Sequence, residues 1–576
     1  MSSGNATLRL TGSEALVRVL QAAGVRDAFG IVGGKLAPLL HALSRSSIGF
    51  VGVRHEASAA IMAAAVSAGS GRIALAIGEM GPGGLNLAAG AGVARNNHLP
   101  ALFVTSNQHS AAAYPHRGMF MDMDTQALFA PLTKWNAVVH HARRLPELVR
   151  GALREAHAGR PGPVHLDIPH DVLSAVHEWR ADEFDVPPAR YRALHGPRAA
   201  AQDIDAAAAL IRSARRPLIV AGGGAVCADA TAALRTLAAQ LNAPVVPTQM
   251  ALGAVASDSA HFIGQGGLIG GDAVRQAFDD ADVVIAVGCR FSSWLWDEHG
   301  PFVRRAHKLV NINVDASALG SAALHEVALL ADARLALDDL LAALGDAPPS
   351  TAPDWLPRLR ERRNAYEDAL RATAGDARGA MHPAALAAAI GAALPRDAVV
   401  VFDGGHTSFW SNDLTPVHEP RTRFHDPGMS QLGYGLPFAL ALQRLHPQRP
   451  VVHVTGDGSF GFTLQELDTA RREGLPVVTV IHNNEAWGII RAGQRMALDF
   501  ELGTSLAGTD YAAIARGFGC LGETVEHADD VAGALQRALA ARRPAVLDCR
   551  TRFVLHPCMP AFGSMNRFGQ SPATDQ

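Results

Sequence analysis

Lysine is scarce in this chain. Lys35, Lys134 and Lys308 are the only three among 576 residues, so a mechanism built on a lysine Schiff base has few candidates. Cysteine is nearly as sparse. The five, Cys227, Cys289, Cys520, Cys549 and Cys558, share no paired spacing, which argues against structural zinc and for a reducing compartment, expected to be the cytoplasm. Long apolar runs are missing. No stretch reaches membrane-spanning length, and the polar start Met1 to Arg9 lacks the core of a signal peptide, so no membrane partner is expected. Charge of one sign is missing too. A formal net charge of −3 offers no argument for nucleic acid.

What is present is length and order. A chain of 576 residues exceeds what one core sustains, and two polar, proline-bearing joins divide it. The first is Ala181 to Arg198, with Pro187-Pro188; the second is Gly345 to Pro357, with Pro348-Pro349. The expected blocks are residues 1–180, 198–344 and 358–550, followed by a tail at 551–576 that either closes over a pocket or stays disordered. Buried strands are expected at Pro163 to Ile168, Leu218 to Ala221, Val283 to Val287 and Leu309 to Val314, each separated by helical pattern. The fold class is therefore α/β, three blocks in series.

The most informative segment runs from Val451 to Asn484. Val451 to Thr455 and Val477 to His482 are apolar, β-branched runs of the kind buried on both faces of a sheet. Between them the pattern predicts a tight glycine turn at Gly456-Asp457-Gly458-Ser459. A helix follows, capped by Thr463 with Glu466 reaching back and stopped at Gly474. A strand, helix, strand order implies a parallel pair with a right-handed crossover. Asp457 and Asn484 then leave the same sheet edge, where open α/β sheets bind ligands and free helix N–H groups attract phosphate. A carboxylate and an amide oxygen arriving together suit Mg²⁺ shared with a diphosphate. Gly456-x-Gly458-x-x-Gly461 also fits a dinucleotide fingerprint, the mark of an oxidoreductase. Against that, Glu485 behind two asparagines is a poor ribose ligand, and an aspartate in the turn repels a bare pyrophosphate.

Gly456-Asp457-Gly458 with Asn483-Asn484 resembles the motif of thiamine-diphosphate enzymes, of the acetohydroxyacid synthase, pyruvate oxidase and benzaldehyde lyase type. The resemblance spans essentially the whole chain. It implies three consecutive doubly wound parallel-sheet domains: pyrimidine-binding, central and diphosphate-binding. It further implies that Asp457, the Asn484 side chain and the Ala486 carbonyl hold Mg²⁺. The cofactor-binding set extends to Gly456, Gly458, Ser459, Trp487, Gly488 and Ile489. Asp403-Gly404-Gly405-His406-Thr407 matches a turn that helps hold the diphosphate, through Gly405, His406 and Thr407. Ser430-Gln431-Leu432-Gly433-Tyr434-Gly435 matches the segment supporting the cofactor's bent shape, with Ser430 beside it and Leu432 as the wedge between the rings.

Val51-Gly-Val-Arg-His55-Glu56 carries the second piece of chemistry. A glutamate at a helix start is ordinarily a dipole partner. In similar enzymes a glutamate here, followed by a glycine-proline-glycine turn supplied by Gly81-Pro82-Gly83, bonds the aminopyrimidine and favours the tautomer that deprotonates the thiazolium. Glu56 is the expected catalytic residue. It lies in a different domain from the metal motif, and in similar enzymes the two meet across a subunit interface, implying a homodimer or homotetramer.

Ala221-Gly222-Gly223-Gly224-Ala225, a glycine turn after a strand, could cradle phosphate, and Ala286 to Phe291 resembles a segment that borders FAD in acetohydroxyacid synthases, although such turns are ordinary and bound FAD is not favoured. Val32, His116, Phe120 and Trp487 are candidate pocket residues. Val32 stands where synthases usually show proline, which weighs against synthase activity. The expected substrate is a small 2-oxo acid or 2-hydroxy ketone. The reaction is decarboxylation, acyloin-type carboligation or lyase cleavage, with a catalytically silent relative as a further alternative.

Overall fold

The computed structural model describes residues 7–113, 116–267, 269–297, 300–304, 307–346, 351–375 and 380–565. Pro348-Pro349, Tyr114 and the end of the tail from residue 566 lie outside the described residues. Three parallel sheets follow one another along the chain.

The first contains β1 (Asp27–Gly30), β2 (Gly49–Gly52), β3 (Leu75–Gly78), β4 (Leu102–Asn107), β5 (Trp135–Val138) and β6 (Val164–Pro169), in the spatial order β2-β1-β3-β4-β6-β5. The second contains β7 (Pro217–Ala221), β8 (Val245–Pro247), β9 (Val283–Val287), β10 (Lys308–Asn313) and β11 (Val327–Leu330), ordered β8-β7-β9-β10-β11. The third contains β12 (Val399–Phe402), β13 (Arg423–Phe424), β14 (Val451–Gly456), β15 (Val478–Asn483), β16 (Leu521–Val525) and β17 (Ala545–Arg550), ordered β13-β12-β14-β15-β17-β16. Every pairing within these sheets is parallel. The runs are apolar because parallel strands are covered on both faces, and each buried valine of β14 and β15 contributes roughly 1.5–3 kcal/mol.

Eight helices bear on the site. They are α1 (Glu56–Ser70), α2 (Pro82–Asn96), α3 (His406–Leu414), α4 (Gly435–Leu445), α5 (Asp457–Phe460), α6 (Glu466–Arg472), α7 (Gly488–Leu498) and α8 (Met559–Met565). The chain forms two compact units. One is Met1–Leu194, Gly428–Gln448 and Thr463–Leu475; the other is His195–Pro427, Arg449–Phe462 and Pro476–Gln576. Helices α4 and α6, which come between strands of the third sheet in sequence, thus belong to the unit of the first sheet. In that unit α1 is built almost wholly of small residues, and the approach of α2 is so close that a Cβ at Gly90 would stand 2.2 Å from the Ala57 carbonyl oxygen.

Two local expectations are corrected. The segment after β14 is no separate glycine turn: α5 starts directly at Asp457, and neither Gly456 nor Gly458 has a positive φ. The capping pair also fails to form. Thr463 Oγ1 donates to Gly433 O at 2.7 Å, Gln465 is the N-cap, and the buried Glu466 carboxylate accepts the Arg54 N–H at 3.1 and 3.2 Å. A long-range donor thus takes the carboxylate that the local motif reserved for its own helix. Burial pushes the Glu466 carboxyl up, against the Thr469 hydroxyl and Arg54 N–H that favour its charge. Within the described part of the tail, Cys558 and Met559 are buried with Ile269, Phe409 and Ala492 of the second unit. No helix among the described residues is long and apolar enough to cross a membrane.

Candidate active site

In the second unit, the carboxyl ends of β12, β14 and β15 bring three segments together. Asp457 follows β14 and is buried; its Oδ1 accepts the Gly458 N–H at 2.9 Å and its Oδ2 the Ala486 N–H at 3.3 Å. The Tyr511 hydroxyl donates to the Asp457 carbonyl at 3.1 Å. Burial nevertheless dominates and pushes the Asp457 carboxyl up to about 6. Asn484 follows β15, and its Oδ1 is buried with no hydrogen-bond partner. A half-satisfied carboxylate beside an orphaned amide oxygen is an arrangement that costs free energy until a cation takes both oxygens. The donor set, one carboxylate, one amide oxygen and a backbone carbonyl, fits a hard dication that keeps further ligands on a phosphate. Among the described residues no group of three His, Cys, Asp or Glu side chains offers another metal centre.

Backbone packing shapes the space around these groups. A Cβ at Gly405 would stand 2.9 Å from Ile489 Cγ2, one at Gly456 3.0 Å from Thr407 Oγ1, and one at Gly458 2.6 Å from Trp487 Cζ3. Glycine is needed here for close approach, because the loops after β12, β14 and β15 touch. Helices α3 and α7 begin at this edge, so their first N–H groups are available to an anion. His406 is buried, and burial holds its imidazole down near 3, so the ring is neutral. Ser459 is buried in α5, and Ile489 lies in the first turn of α7.

In the first unit, His55 is the N-cap of α1, its Nδ1 accepting the Ala57 N–H at 3.2 Å, and Glu56 is the first helical residue. The Glu56 carboxylate is buried at 8 % exposure, and Asn86 Nδ2 of α2 donates to its Oε2 at 3.0 Å. The glycine-proline-glycine turn is the start of α2: Gly81 has φ +65°, and a Cβ at Gly83 would stand 3.3 Å from Glu56 Oε1. The turn therefore leaves room beside the carboxylate. Ser430 takes a left-handed φ of +52°, and Leu432 is half-buried just before Gly433 at φ +81°.

Of the pocket candidates, Val32 is 70 % and Phe120 84 % exposed in the first unit. His116 is exposed there, with its Nδ1 2.6 Å from Asp122 Oδ1. Trp487 belongs to the second unit, half-buried, edge-on to Phe462 at 6.1 Å. The structure places Gly456 to Ser459, Asn484 to Ile489 and Gly405 to Thr407 together in one unit, and Glu56, Ser430 and Leu432 in the other.

Models of the three thiamine pyrophosphate enzyme domains match the chain in order: the N-terminal TPP binding domain at residues 10–128, the central domain at 204–340 and the C-terminal TPP binding domain at 403–549. The chain belongs to the thiamine pyrophosphate enzymes. Thiamine pyrophosphate is thiamine diphosphate under its other name. Acetolactate synthase isozyme 1 large subunit of Escherichia coli K12 is 30% identical over 559 residues, covering 95% of this chain and 96% of that one. The acetolactate synthase large subunit of Parasynechococcus marenigrum is 32% identical, covering 95% and 88%. A probable 2-ketoarginine decarboxylase of Pseudomonas aeruginosa is 34% identical, covering 89% of each.

This member of the thiamine pyrophosphate enzymes therefore uses thiamine diphosphate to break or form the carbon–carbon bond next to a carbonyl. The dinucleotide reading of Gly456 to Gly461 gives way to it. Relatives named as synthases also leave the benzaldehyde lyase alternative disfavoured.

Three supporting contacts escaped the sequence reading. Asn86 is the first polar residue of α2, three positions after Gly83, and that offset was the available signal. Tyr511 and the pair Asn483–Asp548, joined at 2.9 Å, come from strands and helices far along the chain and carry no local signal.

Proposed function

We propose that the protein is a carboligase of the acetolactate synthase kind, which decarboxylates a 2-oxo acid and joins the remaining acyl unit to a second carbonyl. The observation that carries this reading is full-length similarity to acetolactate synthase large subunits in a chain that keeps Glu56, Asp457 and Asn484. Bound thiamine diphosphate supplies a thiazolium carbon that adds to the carbonyl and an electron sink for the bond next to it.

The chain's own residues do the rest. Asp457, Asn484 Oδ1 and the Ala486 carbonyl would hold Mg²⁺, whose charge favours the Asp457 carboxylate over its protonated form. Gly405, His406 and Thr407, with the N-termini of α3 and α7, would bind the diphosphate oxygens, and Gly456, Gly458, Ser459, Trp487, Gly488 and Ile489 would wall that site. Ser430 and Leu432 would support the bent shape. Glu56, oriented by Asn86, would accept a hydrogen bond from the protonated aminopyrimidine nitrogen and so govern the proton taken from the thiazolium. Val32, His116, Phe120 and Trp487 would border the substrate.

A second reading, simple decarboxylation, is favoured by Val32 in the loop after β1, where synthases usually show proline, and by the decarboxylase relative. We also propose the division 1–180, 198–344 and 358–550, a cytoplasmic location, and a homodimer or homotetramer completing each site between subunits; a strictly monomeric active species in sedimentation would contradict the last. The central domain is proposed to hold no FAD. Its glycines are taken up by each other: the Gly224 N–H donates to Gly288 O at 3.1 Å, and a Cβ at Gly222 would stand 2.2 Å from the same oxygen.

Incubating the protein with thiamine diphosphate, Mg²⁺ and pyruvate, and following CO2 together with acetolactate and acetaldehyde, tests the function. Acetolactate equal to the CO2 supports the carboligase, since decarboxylation of one pyruvate and capture of its acyl unit by a second releases a single CO2 per product. Free acetaldehyde equal to the CO2 identifies a decarboxylase instead.

A further inference from the structure

After β17 the chain bridges α3 and α7, the two helices that begin at the proposed diphosphate site. Phe553 packs 5.6 Å from the His406 ring, with the guanidinium groups of Arg491 and Arg495 at 5.6 and 5.5 Å over its own ring. Three residues on, His556 is buried with its ring edge-on to Trp410 at 4.5 Å. Its Nδ1 accepts the Cys558 N–H at 3.2 Å, and its Nε2 lies 3.3 Å from Asp413 Oδ2 at an angle short of a hydrogen bond. The tail is thereby anchored along α3. From this anchored position the backbone N–H of His556 donates to His406 Nε2 at 2.8 Å.

That bond has a chemical consequence. A backbone N–H can only donate, so the ring nitrogen that receives it carries no proton, and the proton of the neutral imidazole is left on Nδ1. A hydroxyl or water in the same place would have allowed either tautomer. His406 Nδ1 has no hydrogen-bond partner among the described residues. A Cβ at Gly488 would stand 3.6 Å from it and 3.6 Å from Asn484 Nδ2, so Nδ1 faces the start of α7 and the orphaned amide.

We propose that the tail backbone at His556 fixes His406 as the Nδ1–H tautomer and so makes it a neutral donor to a diphosphate oxygen. His556 is then a positioning residue of the cofactor site, acting through His406. The donor role rests on the reading that α3 and α7 hold the diphosphate; the tautomer does not.

Two measurements separate these parts. In ¹⁵N-histidine-labelled, cofactor-free protein, the His406 signals, assigned by their loss in His406→Asn, are expected to show Nδ1–H. His556→Pro, which removes the N–H, should shift them toward Nε2–H. Should that variant not fold, the wild-type tautomer alone decides. In calorimetric titration with thiamine diphosphate and Mg²⁺, His406→Leu should bind about tenfold more weakly or worse, the loss of one hydrogen bond to a charged group. His406→Asn, whose amide N–H replaces Nδ1–H, should stay within about threefold. An Nε2–H signal in the wild type, or unchanged affinity in His406→Leu, overturns the proposal. Wild-type protein that shows Nδ1–H but binds no thiamine diphosphate overturns the site reading and the donor role with it.

Discussion

The first and third sheets have the same strand order, second strand outermost, then first, third, fourth, sixth and fifth. The correspondence extends to side chains. Asn107 lies two residues beyond the residue registered with Asp167 and bonds it; Asn483 lies two beyond the residue registered with Asp548 and bonds it too. What differs is how each edge uses the carboxylate just past its third strand. Glu79 is fully engaged, accepting the Lys35 and Leu36 N–H groups at 3.0 and 3.3 Å and the Ser106 hydroxyl at 2.9 Å. Asp457 accepts backbone N–H groups alone, and the neighbouring Asn484 Oδ1 has no partner. One fold thus carries two edges: one closed by its own polypeptide, the other with unmet acceptors, where the cation is proposed to sit. Topology provides both edges, and the accounting of hydrogen bonds is what distinguishes the one proposed to take the ligand.

The largest contrast is expected from removing each carboxylate. Asp457→Ala should weaken thiamine diphosphate binding on the order of 100-fold or more and abolish its Mg²⁺ dependence, since even indirect metal supports cost 10–100-fold. Glu79→Gln should lower Tm and leave metal-dependent binding in place. Comparable loss of binding in both variants would erase the distinction between the edges.

Glu56→Gln should come next. Turnover is expected to fall about 10²–10⁴-fold while cofactor affinity stays within a few-fold, because a proton-transfer group is lost and the metal site is not. Unchanged turnover would remove Glu56 from catalysis.

A smaller effect is expected from close packing. In Gly458→Ala the new Cβ meets Trp487 at 2.6 Å, and the variant should lose about 1–3 kcal/mol of stability together with cofactor affinity. In Gly83→Ala the Cβ meets Glu56 Oε1 at 3.3 Å, so turnover should fall with affinity retained. Thermal unfolding and titration of both variants decide whether the two glycines serve different halves of the chemistry.

The gentlest test is pH. Burial pushes the Asp457 carboxyl up to about 6, above its ordinary 3.8. The metal-free protein should therefore gain stability as pH falls from about 6 toward 3.8 and lose it as pH rises through 6, the native state binding the extra proton. Mg²⁺ needs the carboxylate. Its apparent affinity should then drop about tenfold per pH unit below about 6 and level off above 7. A flat profile from pH 5 to 8 would place the metal elsewhere.

Much of this architecture was legible in the sequence. Val283 to Val287 is the strand as expected, and β14 and β15 begin or end within one residue of their expected limits, since uninterrupted β-branched runs in a doubly covered sheet admit little else. The Gly456 to Ser459 segment was misjudged because glycine there answers to Trp487 and Thr407, residues remote in sequence, and not to a positive φ. Glu466 was misjudged for a related reason: its spacing from Thr463 suits a cap, but the Arg54 N–H claims it. Asn86 beside Glu56 and the tail at His406 are likewise products of tertiary packing. Local motifs show which residues can do chemistry, and long-range donors determine which of them are free to.

Calorimetric titration of the dialysed protein with thiamine diphosphate, with and without Mg²⁺, tests the central claim most directly, with Asp457→Ala alongside. Tight binding that requires Mg²⁺ is expected in the wild type and its loss is expected in the variant. Binding that is indifferent to Mg²⁺, or equal in the two proteins, would contradict the assignment of the open edge at Asp457 and Asn484 as a metal-bridged diphosphate site.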